Sequence, residues 1–285
     1  MSYSVLLVVC TLLIGGCTPR ASNTGVSRFS SKGKVEAERF VVIGDWGTGL
    51  DSSERVARRM CRWRKDHPFG LVVTTGDNIY PDGSSDYFEP NFFDPFGCLL
   101  DAGVKWRSAL GNHDVVTDNG APELEEPAFG IRNRNYVVRA SGVRLVIANS
   151  NHIKRNWLRR ATKPEEGDEW TVVAFHHPVY SPGDHGSTPG FAEWMPSLFA
   201  RRGVDIVVNG HDHLYAVSKK LDGIRYVVTG GGGASLYDCH EHPLFITCKE
   251  RHHFLYVRVT VDRLVVQAVP DRGAVLHTFA TRGIE

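Results

Sequence analysis

The 285-residue sequence predicts an α/β (α+β) chain built as a four-layer αββα sandwich, two mixed β-sheets face to face with helices outside. Three observations carry that expectation. Short apolar runs of strand length alternate with amphipathic segments of helix length, as in sheets covered by helices. Most of these runs end in a block rich in Asp, Asn or His, which places polar chemistry along the carboxyl edge of a sheet, where open α/β folds bind ligands. After about residue 253 the texture changes to strand-like runs with no helix between them.

In chain order, Arg39 to Ile43 is the first buried strand and leads into Gly44-Asp45-Trp46-Gly47. Ser52 or Ser53 is placed to cap a helix through Arg64, with Val56, Met60 and Trp63 on one face and Arg55, Arg58, Arg59 and Arg62 on a solvated one. Leu71 to Thr75 is the next strand and leads into Gly76-Asp77-Asn78-Ile79-Tyr80. The aromatic and acidic stretch Pro81 to Phe96, with Tyr87, Phe88, Phe92 and Phe93, predicts a short helix at the mouth of the site, and Gly111-Asn112-His113-Asp114 follows it. Helices are expected over Asn151 to Ala161 and Phe191 to Arg202. The strand Trp170 to Phe175 leads into His176, and Asp205 to Asn209 leads into Gly210-His211-Asp212-His213. Pro178 to Gly190, rich in Pro and Gly around His185, reads as a rim loop. Phe254 to Val261, Arg263 to Val269 and Ala274 to Phe279 read as a closing β-meander.

A single Gly-Asp pair is an ordinary turn. Five such blocks in series, most of them after a strand, point instead to one two-metal site. Carboxylate, phenolate, amide oxygen and imidazole form a hard-to-borderline donor set without thiolate, which suits Fe, Mn or Zn and argues against a structural zinc cage.

From Phe40 to His213 the five blocks resemble the metal-binding motifs of the metallophosphoesterase (calcineurin-like) superfamily. Tyr80, three positions after Asp77, is similar to the tyrosine that separates purple acid phosphatases from their relatives, and the likeness is to the small single-domain type. The resemblance implies the metallophosphoesterase fold and an Fe(III) plus divalent metal (Fe, Zn or Mn) centre. It assigns Asp45, Tyr80 and His213 to the ferric ion, Asp77 to the bridge, and Asn112, His176 and His211 to the divalent ion. The activity implied is that of an acid phosphatase acting on small phosphate monoesters by attack of a metal-bound hydroxide. An enzyme for phosphodiesters or pyrophosphates, and a non-catalytic surface lipoprotein binding a phosphorylated ligand, are the alternatives.

His113, beside Asn112, is the candidate proton donor to the leaving group. His185 matches a second family histidine near the substrate, with a solvated loop histidine as the alternative. Asp114 is read either as the partner that orients His113 or as structural. His177 is assigned to packing behind His176, and Asn78 to loop or phosphate positioning. Trp46 reads as pocket wall or as core. Gly230 to Gly233 follow a strand but lack the Gly-Lys-Ser/Thr of a phosphate loop, so they predict close backbone packing beside the site. His240 and His242 read as solvated.

Val5 to Ile14 is too short for a membrane span, and Ile14-Gly15-Gly16-Cys17 resembles a bacterial lipoprotein cleavage box, although residues 1–16 hold no Lys or Arg. The expected organisation is a signal peptide over 1–16, a flexible tether over 17–37 rich in Ser, Gly, Lys and Arg, and one domain over 38–285. The protein is then exported and anchored in the bacterial cell envelope through lipid on Cys17. A formal net charge of +1 offers nothing to nucleic acid or to an anionic membrane. Oligomeric state is left open. Outside the leader and Cys17, four cysteines remain, and Cys239 with Cys248 would leave Cys61 with Cys98, one of three possible pairings. Free buried thiols are the alternative.

Overall fold

A computed structural model of the protein describes residues 1–2, 39–140, 142–260 and 262–281. The expected signal peptide from Tyr3 onward and the expected tether, with Cys17, lie outside the described residues. The first strand, β1 (Arg39–Ile43), shows why the runs are apolar throughout: Phe40 and Val42 enter the core between the sheets, while Val41 and Ile43 enter the layer beneath helices. Both faces of the strand are covered, so no polar position interrupts it.

The first sheet also holds β2 (Leu71–Thr74), β3 (Lys105–Ser108), β11 (His253–Val259), β12 (Leu264–Pro270) and β13 (His277–Ala280), in the order β13-β12-β11-β1-β2-β3. β1, β2 and β3 run parallel, with Val41 opposite Val72 and Val72 opposite Trp106, and the meander β11 to β13 joins antiparallel. The second sheet is β4 (Tyr136–Ala140), β5 (Val143–Ile147), β6 (Trp170–Ala174), β7 (Ile206–Asn209), β8 (Tyr215–Ser218), β9 (Arg225–Thr229) and β10 (Phe245–Lys249), in the order β10-β8-β9-β7-β6-β5-β4. Its centre, β5, β6, β7 and β9, is parallel, and both edges are antiparallel. The inner faces of the two mixed sheets share one core, with Val42, Leu255 and Val266 from one sheet and Val172, Val208 and Val227 from the other.

Helices cover the outer faces. α1 (Asp51–Asp66) buries Val56, Ala57 and Met60 in the cluster that holds Val41, Ile43 and Tyr256, and α2 (Asp94–Asp101) buries Phe96 and Leu99 there. Between β3 and β4 lies the short α3 (Ala121–Glu125). On the other side, α4 (Arg155–Ala161) and α5 (Met195–Arg202) pack Leu158, Leu198 and Phe199 with Val146, Val173 and Val207. The disulfide Cys61–Cys98 ties α1 to α2, and Cys239–Cys248 ties a loop to β10, the pairing that the sequence allowed.

Several local expectations are corrected. Neither Ser52 nor Ser53 caps α1: Leu50 stands at the cap, Ser52 donates to the Gly233 carbonyl (2.5 Å), and Ser53 donates to the Leu50 carbonyl (2.9 Å). Asp51 and Glu54 supply the negative charge that the helix start favours. The basic face is partly engaged, since Arg55 pairs with Asp271 (3.0 Å) and Arg58 with Glu54 (2.7 Å). The expected helices at 151 and 191 begin four residues later, at Arg155 and Met195. The stretch from Phe88 is not a rim: a π-helical turn, Glu89–Phe93, leads into α2, and Phe88, Phe92 and Phe96 are buried. Phe92 and Phe96 sit 5.2 and 4.9 Å from the Trp46 ring, edge to face. Trp46 is therefore core beneath the site, not pocket wall.

Candidate metal centre

β1, β2, β6 and β7 end just before Asp45, Asp77, His176 and His211, and the loops there are knitted together by backbone bonds. The N–H of Asp45 donates to Gly76 (3.1 Å), that of Trp46 to Asp77 (3.2 Å), and that of Gly210 to His176 (3.0 Å). Asp45, Asp77 and His211 lie in the left-handed region, with φ of 57, 49 and 72°. A non-glycine residue there costs about 1–3 kcal/mol and is held only where the surroundings enforce it. The glycines of the blocks follow from the same crowding. A Cβ on Gly111 would lie 2.1 Å from Asp77 Oδ1, and one on Gly210 would lie 2.3 Å from Asp45 Oδ2.

The seven candidate ligands converge in two sets that share one atom. In the first, the Tyr80 hydroxyl lies 3.0 Å from Asp77 Oδ2, 3.2 Å from His213 Nε2 and 3.5 Å from Asp45 Oδ1, and His213 Nε2 lies 3.4 Å from Asp45 Oδ1. In the second, His176 Nε2 lies 3.3 Å from the same Asp77 Oδ2, 2.9 Å from Asn112 Oδ1 and 3.2 Å from His211 Nδ1. Ligand atoms of Asp45, Asp77 and His176, all buried, lie within 4.8 Å of one another.

The imidazole tautomers test whether a cation fits. His176 Nδ1 faces the Thr75 carbonyl (3.1 Å) and His213 Nδ1 faces the Ser235 carbonyl (2.8 Å). A carbonyl only accepts, so both rings carry hydrogen on Nδ1 and, when neutral, a lone pair on Nε2. The His176 lone pair points at the Asp77 carboxylate and the Asn112 amide oxygen, which bring only more lone pairs, while that of His213 faces the Asp45 carboxylate and the Tyr80 hydroxyl, which can donate to it. A cation satisfies them together, and the backbone carbonyls are the outer contacts that metal-bound histidines use. Without one, hydrogens must serve, from the Tyr80 hydroxyl toward His213 and from the His211 Nδ1 or an added proton toward His176. Burial opposes charge on His176, yet the Asp77 and Asp45 carboxylates push it up to about 9. Burial likewise works against ionised Asp77, but His176 and then His113 hold it well below the usual carboxylate range. Burial, then Asp45 and Asp77, push the Tyr80 hydroxyl far above its ordinary value, so without a cation beside it the hydroxyl keeps its proton. Burial and then the rings of His176, His177 and His185 push His211 down to about 2, which leaves it neutral and fit to bind metal.

His113 stands at the half-exposed rim, its ring 4.3 Å from that of Tyr80. Its Nδ1 lies 2.6 Å from the Pro81 carbonyl, so Nε2 is the nitrogen left for exchange. Asp114 does not orient it. That carboxylate accepts from the N–H groups of Asn78 (2.7 Å), Ile79 (3.1 Å) and Gly111 (2.7 Å), clamping two of the blocks together. Asn78 belongs to the same clamp: its Nδ2, with two hydrogens, is surrounded by acceptors on Ala109, Asp114 and Glu123 (2.7, 3.0 and 2.9 Å), and its Oδ1 accepts from Thr74 (2.6 Å) and Trp46 (3.3 Å), so its side chain is committed to the clamp and not to phosphate. His185 is exposed on the rim loop and stacks on His211 (4.3 Å, 24°). His177 packs behind the ligands, with Ser150 Oγ at 2.8 Å from its Nδ1. A Cβ on Gly230 would meet the Asp212 carbonyl at 2.3 Å and Asp45 Oδ2 at 2.9 Å, the close packing expected of that run. His240 and His242 stand away from the ligand sets, His240 exposed beside Asp184 (2.7 Å).

Three residues near the centre escaped the sequence reading. Buried Asp212 accepts from Ser181 Oγ and from the His185 N–H (2.8 Å), fastening the rim loop; its place between His211 and His213 was a signal. Buried Glu123 closes the clamp on Asn78, and Tyr237 stacks on His213 (4.2 Å, 17°); neither has a motif to announce it.

Comparison with known proteins agrees with this geometry. Residues 38–215 match the calcineurin-like phosphoesterase family. The chain is 26% identical over 322 residues to purple acid phosphatase 17 of Arabidopsis thaliana, covering 98% of this chain and 94% of that one. Its fold is similar to a purple acid phosphatase from seeds of yellow lupin, Lupinus luteus, with a TM-score of 0.72 and 17% identity over 86% of this chain. This chain spans about half, 53%, of the lupin protein. It is also similar to GAP50, the anchor in the inner membrane complex of Plasmodium, with a TM-score of 0.70, 18% identity and coverage of 85% and 87% of the two chains. The chain belongs to the calcineurin-like phosphoesterase family, and the curated relatives it is similar to are purple acid phosphatases.

Proposed function

We propose that this chain is an exported acid phosphatase that hydrolyses small phosphate monoesters at a dinuclear Fe(III)–M(II) centre. The observation that carries the reading is the sharing of Asp77 Oδ2 between two sets of donors whose imidazole lone pairs face oxygen. Asp45, Tyr80 and His213 would hold the ferric ion and Asn112, His176 and His211 the divalent one, with Asp77 between them. With both ions bound, the chemistry they supply is an acidified water as nucleophile and positive charge on the phosphoryl oxygens.

The remaining work falls to side chains. A leaving alkoxide must gain a proton, and His113 Nε2 is free to deliver it while Pro81 holds Nδ1. His185 stands over His211 on a loop fastened by Asp212, where it can meet the substrate's outer oxygens. Asp114 and Asn78 keep the Asp77 and Asn112 loops in fixed register, which matters because misplacement by about 1 Å can cost about 10²-fold in rate.

Metal analysis and a visible spectrum, taken with turnover of phenyl phosphate and of bis(p-nitrophenyl) phosphate, test the proposal. The expected protein holds two ions, is coloured through tyrosinate-to-iron charge transfer, loses the colour in Tyr80→Phe, and prefers the monoester. A coloured Tyr80→Phe variant refutes Tyr80 as ligand, and preferential diester turnover refutes the substrate class. A metal-loaded protein that turns over neither refutes the enzyme.

A further inference from the structure

One segment links a candidate ligand to the rim loop. The Ser235 carbonyl accepts from His213 Nδ1 (2.8 Å), and the Tyr237 N–H donates to the His213 carbonyl (3.2 Å). The Tyr237 ring stacks on the His213 imidazole and meets His185 edge-on, with centroids 5.2 Å apart at 77°. Two residues on, Cys239 is bonded to Cys248 of β10. His240 then donates its N–H to the Pro182 carbonyl (2.8 Å) and sets its ring beside Asp184, the neighbour of His185.

The segment is also held by the Cys239 N–H, which donates to Glu250 (3.0 Å), and by Cys239 and Phe245, which pack on Leu214, Ala216 and Val228. Beside it opens a cleft of about 590 Å³ lined by Lys219, His240, His242, Phe245 and Ile246, and Ile246 is half exposed. His240 and His242 face that cleft. A chain reaches at most about 3.6 Å per residue, so the disulfide keeps Tyr237 within about 7 Å of a fixed point. Among the described residues the Tyr237 hydroxyl has no hydrogen-bond partner, which leaves the ring as the part that matters.

We propose that Tyr237, pinned by the Cys239–Cys248 disulfide, is a positioning residue of the metal centre, its ring face restraining His213 and its flank restraining His185. The inference rests on the reading of His213 as a ligand of the first ion. A ring held by both Ser235 and Tyr237 presents Nε2 in one orientation, and outer contacts of this kind are worth about 10–100-fold in metal affinity.

The test uses the full chain, loaded with iron and moved into excess EDTA, with ion loss followed by elemental analysis and absorbance. Tyr237→Ala and the double variant Cys239→Ser with Cys248→Ser are expected to release iron about 10–100-fold faster than wild type. Tyr237→Phe, which keeps the ring, is expected to stay within about twofold of wild type, a rescue that follows from the stack. Release from Tyr237→Ala at the wild-type rate overturns the proposal, and so does release from Tyr237→Phe as fast as from Tyr237→Ala. Thermal unfolding confirms that each variant is folded; if Tyr237→Ala is not, Tyr237→Leu and the cysteine pair carry the comparison. Wild-type protein that takes up no iron brings down the metal-centre reading and this one together. Wild-type protein that loads two ions while Tyr237→Ala behaves identically removes this one alone.

Discussion

Replacing Gly210 with alanine tests the convergence of the blocks most directly. The new Cβ would stand 2.3 Å from Asp45 Oδ2 and 2.9 Å from Thr75 Oγ1, where ordinary contact begins at 3.4 Å. Relief requires a relative shift of about 1 Å, taken by the Asp45 carboxylate or by the backbone of the His211 loop. Gly210 has no positive φ, so the substitution probes space and not conformation. A displacement of that size at a reacting centre is worth about 10²-fold in kcat/KM, or about 2.7 kcal/mol. Overpacking adds a stability loss of about 1–3 kcal/mol. The assay is kcat/KM for phenyl phosphate with iron content and urea unfolding on the same preparations. Gly97→Ala is the control: it lies in α2, meets nothing within 4 Å, and should gain about 0.5–1 kcal/mol at unchanged rate. Gly210→Ala with wild-type kcat/KM and full iron content would show that Asp45 is not where the chemistry needs it.

Other consequences can be checked independently. His113→Ala should lose about 10²–10⁴-fold on an alkyl phosphate and much less on p-nitrophenyl phosphate, whose leaving group needs no proton; equal losses count against proton delivery. In chelated protein, burial and then Asp77 push Asp114 up to about 6, and burial and then Asp114 push Glu123 well above its usual value. Both shifts are upward, so the stability they contribute is complete below the unfolded pKa near 4 and is lost as pH rises through the folded values. Glu123→Gln should flatten the fall of unfolding free energy as pH rises above the unfolded carboxylate value, and parallel curves in urea would reject the mutual influence of Asp114 and Glu123. For the anchor, Cys17→Ser should release the protein from membranes into the soluble fraction, whereas persistent membrane association would reject lipid on Cys17.

How much was legible followed from burial. β1, β2, β6 and β7 are covered on both faces, so they stand out as unbroken apolar runs, and each ligand after them could be numbered. β3, Lys-Trp-Arg-Ser, is an edge strand with alternating exposure, and β10 is largely exposed, so neither shows such a run. Ser53 resembled a cap because of its chemistry alone; its hydroxyl is already engaged with Leu50 and Thr48. The outer contacts of the centre were hidden for a different reason. Asn78 meets Glu123 across 45 residues and Tyr237 reaches His213 from beyond the glycine run, and no local pattern records either meeting.

The centre departs from ordinary folding rules in three ways at one place: three left-handed non-glycine residues, two buried carboxylates side by side, and imidazole lone pairs aimed at oxygen. A core chosen for stability alone would keep none of them, because each raises the free energy of the folded chain. The clamp of Asn78, Asp114 and Glu123 and the glycine contacts explain how such a geometry is held, but not why it exists. A bound cation explains the last two features together, and the left-handed turns bring Asp45, Asp77 and His211 to it from three different strands. The same reasoning ranks the evidence. In the proposed function Tyr80 would decide which ion the first set prefers, whereas the sharing of Asp77 Oδ2 supports two ions whatever they are. An ion pair without tyrosinate colour would remove the ferric assignment and leave two-metal phosphoester hydrolysis standing.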